Sequence, residues 1–145
     1  MGSLFDKDPE LKRLYDKGLE VRKKVMGKEY VERSLSQATD FNRELQEMVT
    51  IFAWGLIWTR EDIIPRKIKS LINIGILSAL NRQNELKLHI KGAIRNGCTE
   101  EEIKEVLLQV GVYCGLPAAM ESFRIAQEAI KELEDEEKSE KHKDN

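Results

Sequence analysis

The side chains best suited to acid–base or anion chemistry lie close together on one predicted helix. They are Arg82, Glu85, Lys87 and His89. An imidazole titrates near neutral pH and can donate or accept a proton, while guanidinium and ammonium groups suit a carboxylate ligand. The competing interpretation is a half-buried histidine with satisfied ring nitrogens and solvated charges around it. The second histidine, His142, lies in a charged C-terminal segment and is not a candidate.

A second candidate region precedes this helix. Glu47 shares a predicted helix face with large apolar side chains, where a carboxylate can acquire a raised pKa and act as an acid or base. The alternative is a rim glutamate paired with a cation. Trp54, Trp58 and Arg60 follow within a few residues. Two indoles and a guanidinium suit either a pocket wall with an anion clamp or the anchor residues of an interface.

The two cysteines, Cys98 and Cys114, form neither a disulfide framework nor a metal-ligand set. We interpret them as packed, reduced thiols of a cytosolic protein. The sequence also contains no glycine-rich phosphate loop, nucleophile elbow, zinc signature or calcium loop. We therefore predict that the chain binds neither a metal nor a cofactor.

Composition excludes several classes of partner. A chain of 145 residues with 34% charged residues and a net charge of −2 fits one domain with one core. Its basic residues are interspersed with acidic ones, so no nucleic-acid or anionic-membrane face is expected. No apolar run is long enough to span a bilayer, and the N-terminus lacks a signal-peptide pattern. We expect a cytoplasmic protein.

Helical periodicity accounts for nearly the whole chain, and no segment alternates with period two. Asp8 or Pro9 should begin a first helix that ends before Gly27. Thr39 or Asp40 should cap a helix whose core-facing residues are Phe41, Leu45, Met48, Val49 and Phe52. Residues 55–64 read as an ordered apolar loop.

The second half of the chain continues the helical pattern. The helix over 66–80 is apolar nearly all round, which indicates a central position or burial by another subunit. Asn84 can cap the helix that carries His89, and Thr99 with Glu102 forms a capping box for the next one. Pro117 should start a last helix to about Leu133. A charged, disordered tail is predicted over 134–145.

Five motifs in order along the chain carry a family resemblance. They are FNRELQEM at 41–48, WGxxWTR at 54–60, NRxxELKLH at 81–89, NGxTxEEIKEVLL at 96–108 and YCGxPAA at 113–119. Together they resemble the 4-carboxymuconolactone decarboxylase family, over roughly residues 15–131. The resemblance implies an all-α, single-domain helical bundle of about six to seven helices over residues 1–133. It also implies homo-oligomers, as trimers paired into hexamers.

The wider superfamily includes the alkyl hydroperoxidase D proteins, which use a Cys-x-x-Cys, a His four residues later and an upstream Glu. With His89 on that histidine, the cysteine positions fall on Arg82 and Glu85, and the glutamate position falls on Ser70. A thiol peroxidase needs a low-pKa thiolate and a resolving partner. Because these redox residues are replaced, the resemblance favours the decarboxylase branch.

That branch converts 4-carboxymuconolactone to 3-oxoadipate enol-lactone and CO2 in the catabolism of aromatic compounds through protocatechuate. The lactone is its own electron sink, so no cofactor is required. The resemblance places His89 at the centre of catalysis, with Glu47 and Glu85 as further candidates for proton delivery. The resemblance also implies five residues that bind the substrate, namely Arg60, Arg82, Lys87, Trp54 and Trp58.

Three rival functions stay open at this point. The chain is a decarboxylase or lyase for another small lactone or keto acid, a peroxiredoxin-type hydroperoxidase, or a non-catalytic helical oligomer that binds a small acid. Substrate identity depends on pocket shape, which motifs do not encode.

Overall fold

Every regular element among residues 2–144, which the computed structural model describes, is a helix. This confirms the predicted all-α class. Within residues 2–144, seven α-helices and one π-helix follow one another. They are α1 (Pro9–Met26), α2 (Lys28–Ser36), α3 (Arg43–Met48), the π-helix (Val49–Ile57), α4 (Arg66–Ala79), α5 (Gln83–Arg95), α6 (Glu100–Cys114) and α7 (Leu116–Lys143).

The helices group into two compact units, Met1–Arg66 and Lys67–Asn145. In the first unit α1 packs on the π-helix and on α2. In the second unit α7 packs on both α5 and α6 around a core of aliphatic side chains that includes Ile74, Ile90 and Leu107. The single domain predicted over residues 1–133 stays a prediction.

Local signals set several helix ends as the sequence predicts. The Asp8 side chain accepts hydrogen bonds from Glu10 N and Leu11 N at the start of α1, at 3.0 and 3.3 Å. Thr99 and Glu102 form the predicted reciprocal capping box of α6. The helix that carries His89 departs from prediction, because its N-cap is Arg82 and Asn84 lies inside the first turn.

The backbones of α1 and the π-helix touch at two glycines. A Cβ on Gly18 would lie 2.1 Å from the carbonyl oxygen of Thr50, and one on Gly55 would lie 2.2 Å from that of Leu14. Real Cβ atoms are not found this close to backbone oxygen. The crossing of these helices therefore requires glycine on both sides, and it determines how the first unit packs.

The π-helix corrects the predicted loop over 55–64 and the predicted core face. Helix geometry continues to Ile57, and Trp58 N donates to the carbonyl of Ala53 over 2.9 Å, the five-residue spacing of a π-turn. The buried side carries Glu47 and Thr50, whereas Phe41 is 99% exposed. Other side chains predicted for the core are also exposed, namely Leu45, Met48 and Phe52. Because of the glycine contact, the face of the π-helix that carries Gly55 is buried. This face is less apolar than the exposed one.

Helix α4 shows the same inversion in the second unit. Ile74 is fully buried, but so are the small polar residues Ser70 and Ser78. The exposed side of the helix carries Ile68, Ile72 and Ile76. These three side chains remain 42–48% exposed in the part of the chain that the structure describes. Their face stays a candidate for burial by another subunit.

Helix α7 ends ten residues later than the sequence indicated. It runs to Lys143, so the predicted helix end near Leu133 is wrong. The predicted disorder of the tail over 134–145 stays a prediction, and Asn145 lies outside the described residues. Inter-helix ion pairs explain the extension, because Glu136 accepts from Lys91 at 2.9 Å. Arg95 also lies 3.9 Å from Glu136. In residues 2–144 no helix has both the length and the apolar character that a membrane span requires.

The glycine contact gives a prediction for stability. We expect Gly18→Ala to lower the free energy of unfolding by about 3 kcal/mol, because the added methyl collides with backbone that cannot rotate away. Urea unfolding followed by circular dichroism measures the change. Gly75→Ala is the matched control, since a Cβ there meets only Val106 Cγ1 at 3.8 Å. That variant should be unchanged or about 0.5 kcal/mol more stable. Equal stability of the two variants would contradict the proposed contact.

Candidate active site

His89 sits on the inner side of α5, between residues of the core. Leu86 precedes it by three positions and Ala93 follows it by four, and both are buried. This spacing places all three residues on one face of the helix. The imidazole is half-buried. The predicted catalytic histidine is therefore held by core packing and not by a mobile loop.

Burial changes the protonation state of this histidine. It lowers the pKa of His89 from 6.5 to about 4, while the carboxylate of Glu85, one turn earlier, acts in the opposite direction. Because desolvation has the larger effect, the ring is neutral at pH 7. A neutral imidazole donates one hydrogen bond and accepts another, so it can polarise an oxygen without carrying a charge.

The two predicted cations of this helix have different surroundings. Lys87 pairs with Glu128 at 3.3 Å and with Glu132 at 2.9 Å on α7, and the hydrogen bond to Glu132 raises the pKa of the lysine. Arg82, at the N-cap of α5, is exposed. Its guanidinium makes no ion pair with any residue in 2–144. Arg82 is thus open to an external anion, whereas a substrate carboxylate would have to compete with two glutamates for Lys87.

The ion pairs of Lys87 belong to a longer series between α5 and α7. Glu132 also accepts from Lys91, at 2.9 Å, and Lys91 reaches Glu136 at the same distance. Lys87 and Lys91 stand one turn apart on a side of α5 away from the core face that holds His89. The series joins this side of α5 to α7.

The remaining polar groups of the second unit are structural. Ser70, at the position of the hydroperoxidase glutamate, is buried and accepts a hydrogen bond from the Asn96 side-chain amide at 2.9 Å. The Cys98 thiol donates to the carbonyl of Lys67 over 3.4 Å, and burial raises its pKa. Cys114 is exposed. Among the described residues no group of three His, Cys, Asp or Glu side chains is arranged to hold a metal ion.

Glu47, in the first unit, is buried but already engaged. Its carboxylate accepts a short hydrogen bond from the Ser3 hydroxyl and a second one from Leu4 N, at 2.8 Å. The N-terminal segment therefore covers the oxygen atoms that a substrate would have to reach. Proton transfer by Glu47 requires the N-terminal segment to move away, and the role stays a prediction.

The tryptophans stack on each other inside the first unit. Their ring centroids are 4.8 Å apart and the ring planes differ by 30°. Both Trp54 and Trp58 are buried. Arg60, two residues after this stack, is exposed and pairs with no carboxylate in residues 2–144. Of the two predicted binding elements here, the guanidinium is accessible and the indoles are packing groups of this unit.

One charged residue of the first unit was not among the sequence candidates. Arg22 on α1 is only 5% exposed. Its guanidinium donates to Thr50 Oγ1 at 3.0 Å and to Gln46 Oε1 at 2.9 Å. The signal was present in the sequence, because Arg22 follows Gly18 by four residues and precedes Val25 by three, on the face of α1 that is buried.

Comparison with known proteins shows which family this chain belongs to. The family model described as "Carboxymuconolactone decarboxylase family" matches residues 43–128. A 4-carboxymuconolactone decarboxylase of Acinetobacter baylyi is 42% identical over 119 residues, which is 82% of this chain and 88% of that protein. Nitrosuccinic acid decarboxylase npaB of Metarhizium robertsii is 43% identical over 135 residues, covering 93% and 94% of the two chains.

The neutral state of His89 gives a prediction for the dependence of stability on pH. The folded pKa is about 4 and the ordinary value is 6.5. Between these pH values the unfolded chain binds more protons than the folded one. We therefore expect the free energy of unfolding to fall by about 3 kcal/mol as pH drops through this window.

Denaturant unfolding between about pH 7 and pH 4, together with NMR titration of the ring, measures the effect. The slope should flatten in His89→Gln, which has no titrating ring. His142→Gln, on the exposed end of α7, should retain it. An imidazole of His89 that titrates at its ordinary value would show this prediction to be wrong.

Proposed function

This chain is a carboxy-lyase of the carboxymuconolactone decarboxylase family, and we propose that it converts 4-carboxymuconolactone to 3-oxoadipate enol-lactone and CO2. The reaction belongs to the catabolism of aromatic compounds through protocatechuate. The name of the Acinetobacter relative supports this substrate. The observation that carries the proposal is His89, a core-held imidazole that is neutral at pH 7.

The substrate itself determines what the protein must provide. The departing carboxylate is bonded to a ring carbon that is conjugated, through the ring double bond, to the lactone carbonyl. When the bond to CO2 breaks, its electron pair spreads onto the lactone oxygen and gives a dienolate. A proton then adds to the carbon next to that carbonyl. The protein must therefore hold an anion, stabilise a developing oxyanion and supply one proton.

His89 suits the second of these tasks. A neutral imidazole N–H donates a hydrogen bond to an oxygen and strengthens it as negative charge develops there. Because the pKa of His89 is about 4, its imidazole is not protonated at pH 7 and carries no positive charge. A positively charged donor could stabilise the carboxylates of the bound substrate more than the dienolate, and this would slow the reaction. A neutral donor avoids that effect.

We propose Arg82 of the second unit and Arg60 of the first unit, each taken by itself, as groups that bind a substrate carboxylate. Both guanidinium groups are exposed, and neither forms an ion pair with residues 2–144. Guanidinium binds a carboxylate through two parallel hydrogen bonds, which also fixes its orientation. Lys87 can bind a substrate carboxylate only where that carboxylate displaces Glu128 and Glu132. Trp54 and Trp58 serve as packing groups of the first unit.

Nitrosuccinate is a second candidate substrate, and the Metarhizium relative is the specific observation in its favour. Loss of the carboxyl group beside the nitro group leaves an electron pair that spreads onto the nitro oxygens. The demands on the protein are the same: a dicarboxylate, an oxygen-based electron sink and a proton to carbon. Only the shape of the acceptor group differs between the two substrates.

The first experiment measures CO2 release from each substrate with the wild type and three histidine variants. We expect His89→Ala to lower kcat by about 10²–10³, the loss typical of removing one oxyanion donor. His89→Gln should retain part of the rate because its amide still donates. His142→Ala is the matched control and should match the wild type. Unchanged turnover in a folded His89→Ala protein would remove His89 from the mechanism.

Glutamate variants identify the proton donor. Glu47→Gln and Glu85→Gln keep the shape of each side chain but cannot deliver a proton. We expect one of them to lose about 10²–10⁴ in kcat, with uptake of deuterium from solvent into the product slowed in the same variant. Glu134→Gln, exposed on α7, is the control. Full activity in both site variants would leave His89 or water as the source of the proton.

The proposed functional form is a homo-oligomer in the cytoplasm, as trimers paired into hexamers. The exposed apolar faces of α3 with the π-helix and of α4 support assembly, since monomers rarely leave such surfaces to water. Light scattering should give a multiple of the 16.7 kDa chain mass. Ile72→Glu places a charge on the face of α4 and should shift the mass toward the monomer, whereas Lys131→Glu on α7 should not. A wild-type monomer would contradict this proposal.

A further inference from the structure

Arg22 is a buried cation, and the residues around it offer no counter-charge. Only 5% of the residue is exposed. Its two hydrogen bonds go to Thr50 Oγ1 and Gln46 Oε1, which are neutral acceptors. No carboxylate among residues 2–144 pairs with it. A guanidinium has five N–H donors, and these two bonds use one donor on each terminal nitrogen.

The carboxylate nearest to this pair along the chain points elsewhere. Gln46 and Thr50 are four residues apart and form one face, whereas Glu47 is rotated by about 100° around the helix. Glu47 instead accepts from Ser3 and from Leu4 N. The helix therefore presents an amide and a hydroxyl to Arg22 and directs its acid away.

An arrangement of this kind is costly unless something else completes it. Burial lowers the pKa of Arg22. A guanidinium nevertheless stays protonated in proteins. A buried charge that faces only neutral groups loses hydration without gaining an ion pair. Buried ionisable groups in such surroundings are concentrated at functional sites.

Arg22 offers one fixed positive charge, and its two hydrogen-bond partners are neutral. A single guanidinium matches a singly charged planar anion better than a phosphate dianion.

We propose that Arg22 is the anchor of a carboxylate-binding site in the first unit, which takes a carboxylate group of a small organic acid. Thr50 and Gln46 hold the guanidinium in place from one side, and the remaining N–H donors bind the ligand. The ligand displaces no partner of the arginine. The proposal concerns binding alone and does not rest on the proposed decarboxylation.

Succinate is the probe, because it is a dicarboxylate that has no electron sink and is not turned over. We expect saturating succinate to raise the melting temperature of the wild type by roughly 5 °C. Arg22→Met should abolish the rise, and Arg22→Lys should weaken binding at least tenfold, since an ammonium lacks the paired donors. Arg33→Met, an exposed arginine of the same unit, is the control and should bind as the wild type does.

A measurement on the wild type keeps the test valid if Arg22→Met does not fold. The Nε–H resonance of Arg22, assigned by NMR, should shift on titration with succinate and not with uncharged succinamide. A shift produced by phosphate and not by succinate would overturn the carboxylate assignment. An Arg22 resonance insensitive to succinate, with an assembly that dissociates in Arg22→Met, would also overturn the proposal and assign the missing carboxylate to another copy of the chain.

Discussion

The contact of α1 with the π-helix at Gly18 and Gly55 is the constraint on which the first unit depends. Backbone meets backbone there, so neither helix can rotate or slide without a collision. The contact turns Thr50 and Gln46 toward Arg22 and places Glu47 at the N-terminal segment. It also sends the opposite, apolar face of the same helices to the surface. The burial of Glu47 and Thr50 and the exposure of the apolar face with Leu45 and Phe52 thus have one steric origin.

Electrostatics divides the cations of this protein into two kinds. Lys87 and Lys91 are neutralised by glutamates of α7, and their role is to hold α5. Arg82 and Arg60 are left without such partners in residues 2–144, and Arg22 is buried among neutral acceptors. These three arginines have charge available for an anionic ligand. Charge already used for packing contributes little to binding, because an incoming carboxylate must first displace another.

The histidine shows how packing prepares a side chain for chemistry. Core residues on the same face of α5 remove water from the ring, and this keeps the imidazole neutral. A neutral donor suits a reaction whose negative charge moves from a carboxylate to a carbonyl oxygen. The relatives named for two different decarboxylations are consistent with a protein that supplies a donor and an anion clamp while the substrate supplies the electron sink.

The sequence by itself determined the helical class, the caps at Asp8 and Thr99, the family and the helix that carries His89, because these depend on local periodicity, capping chemistry and motif order. Tertiary structure decided which face of each helix is buried: the apolar stripe with Phe41 lost to the face with Gly55, since close backbone contact outweighed side-chain hydrophobicity. It also decided the fate of each charge. Lys87 forms ion pairs with glutamates that lie 41 and 45 residues away along the chain. Glu136, in the extended end of α7, pairs with Lys91. Pairings over such separations depend on how helices pack, which no local pattern encodes.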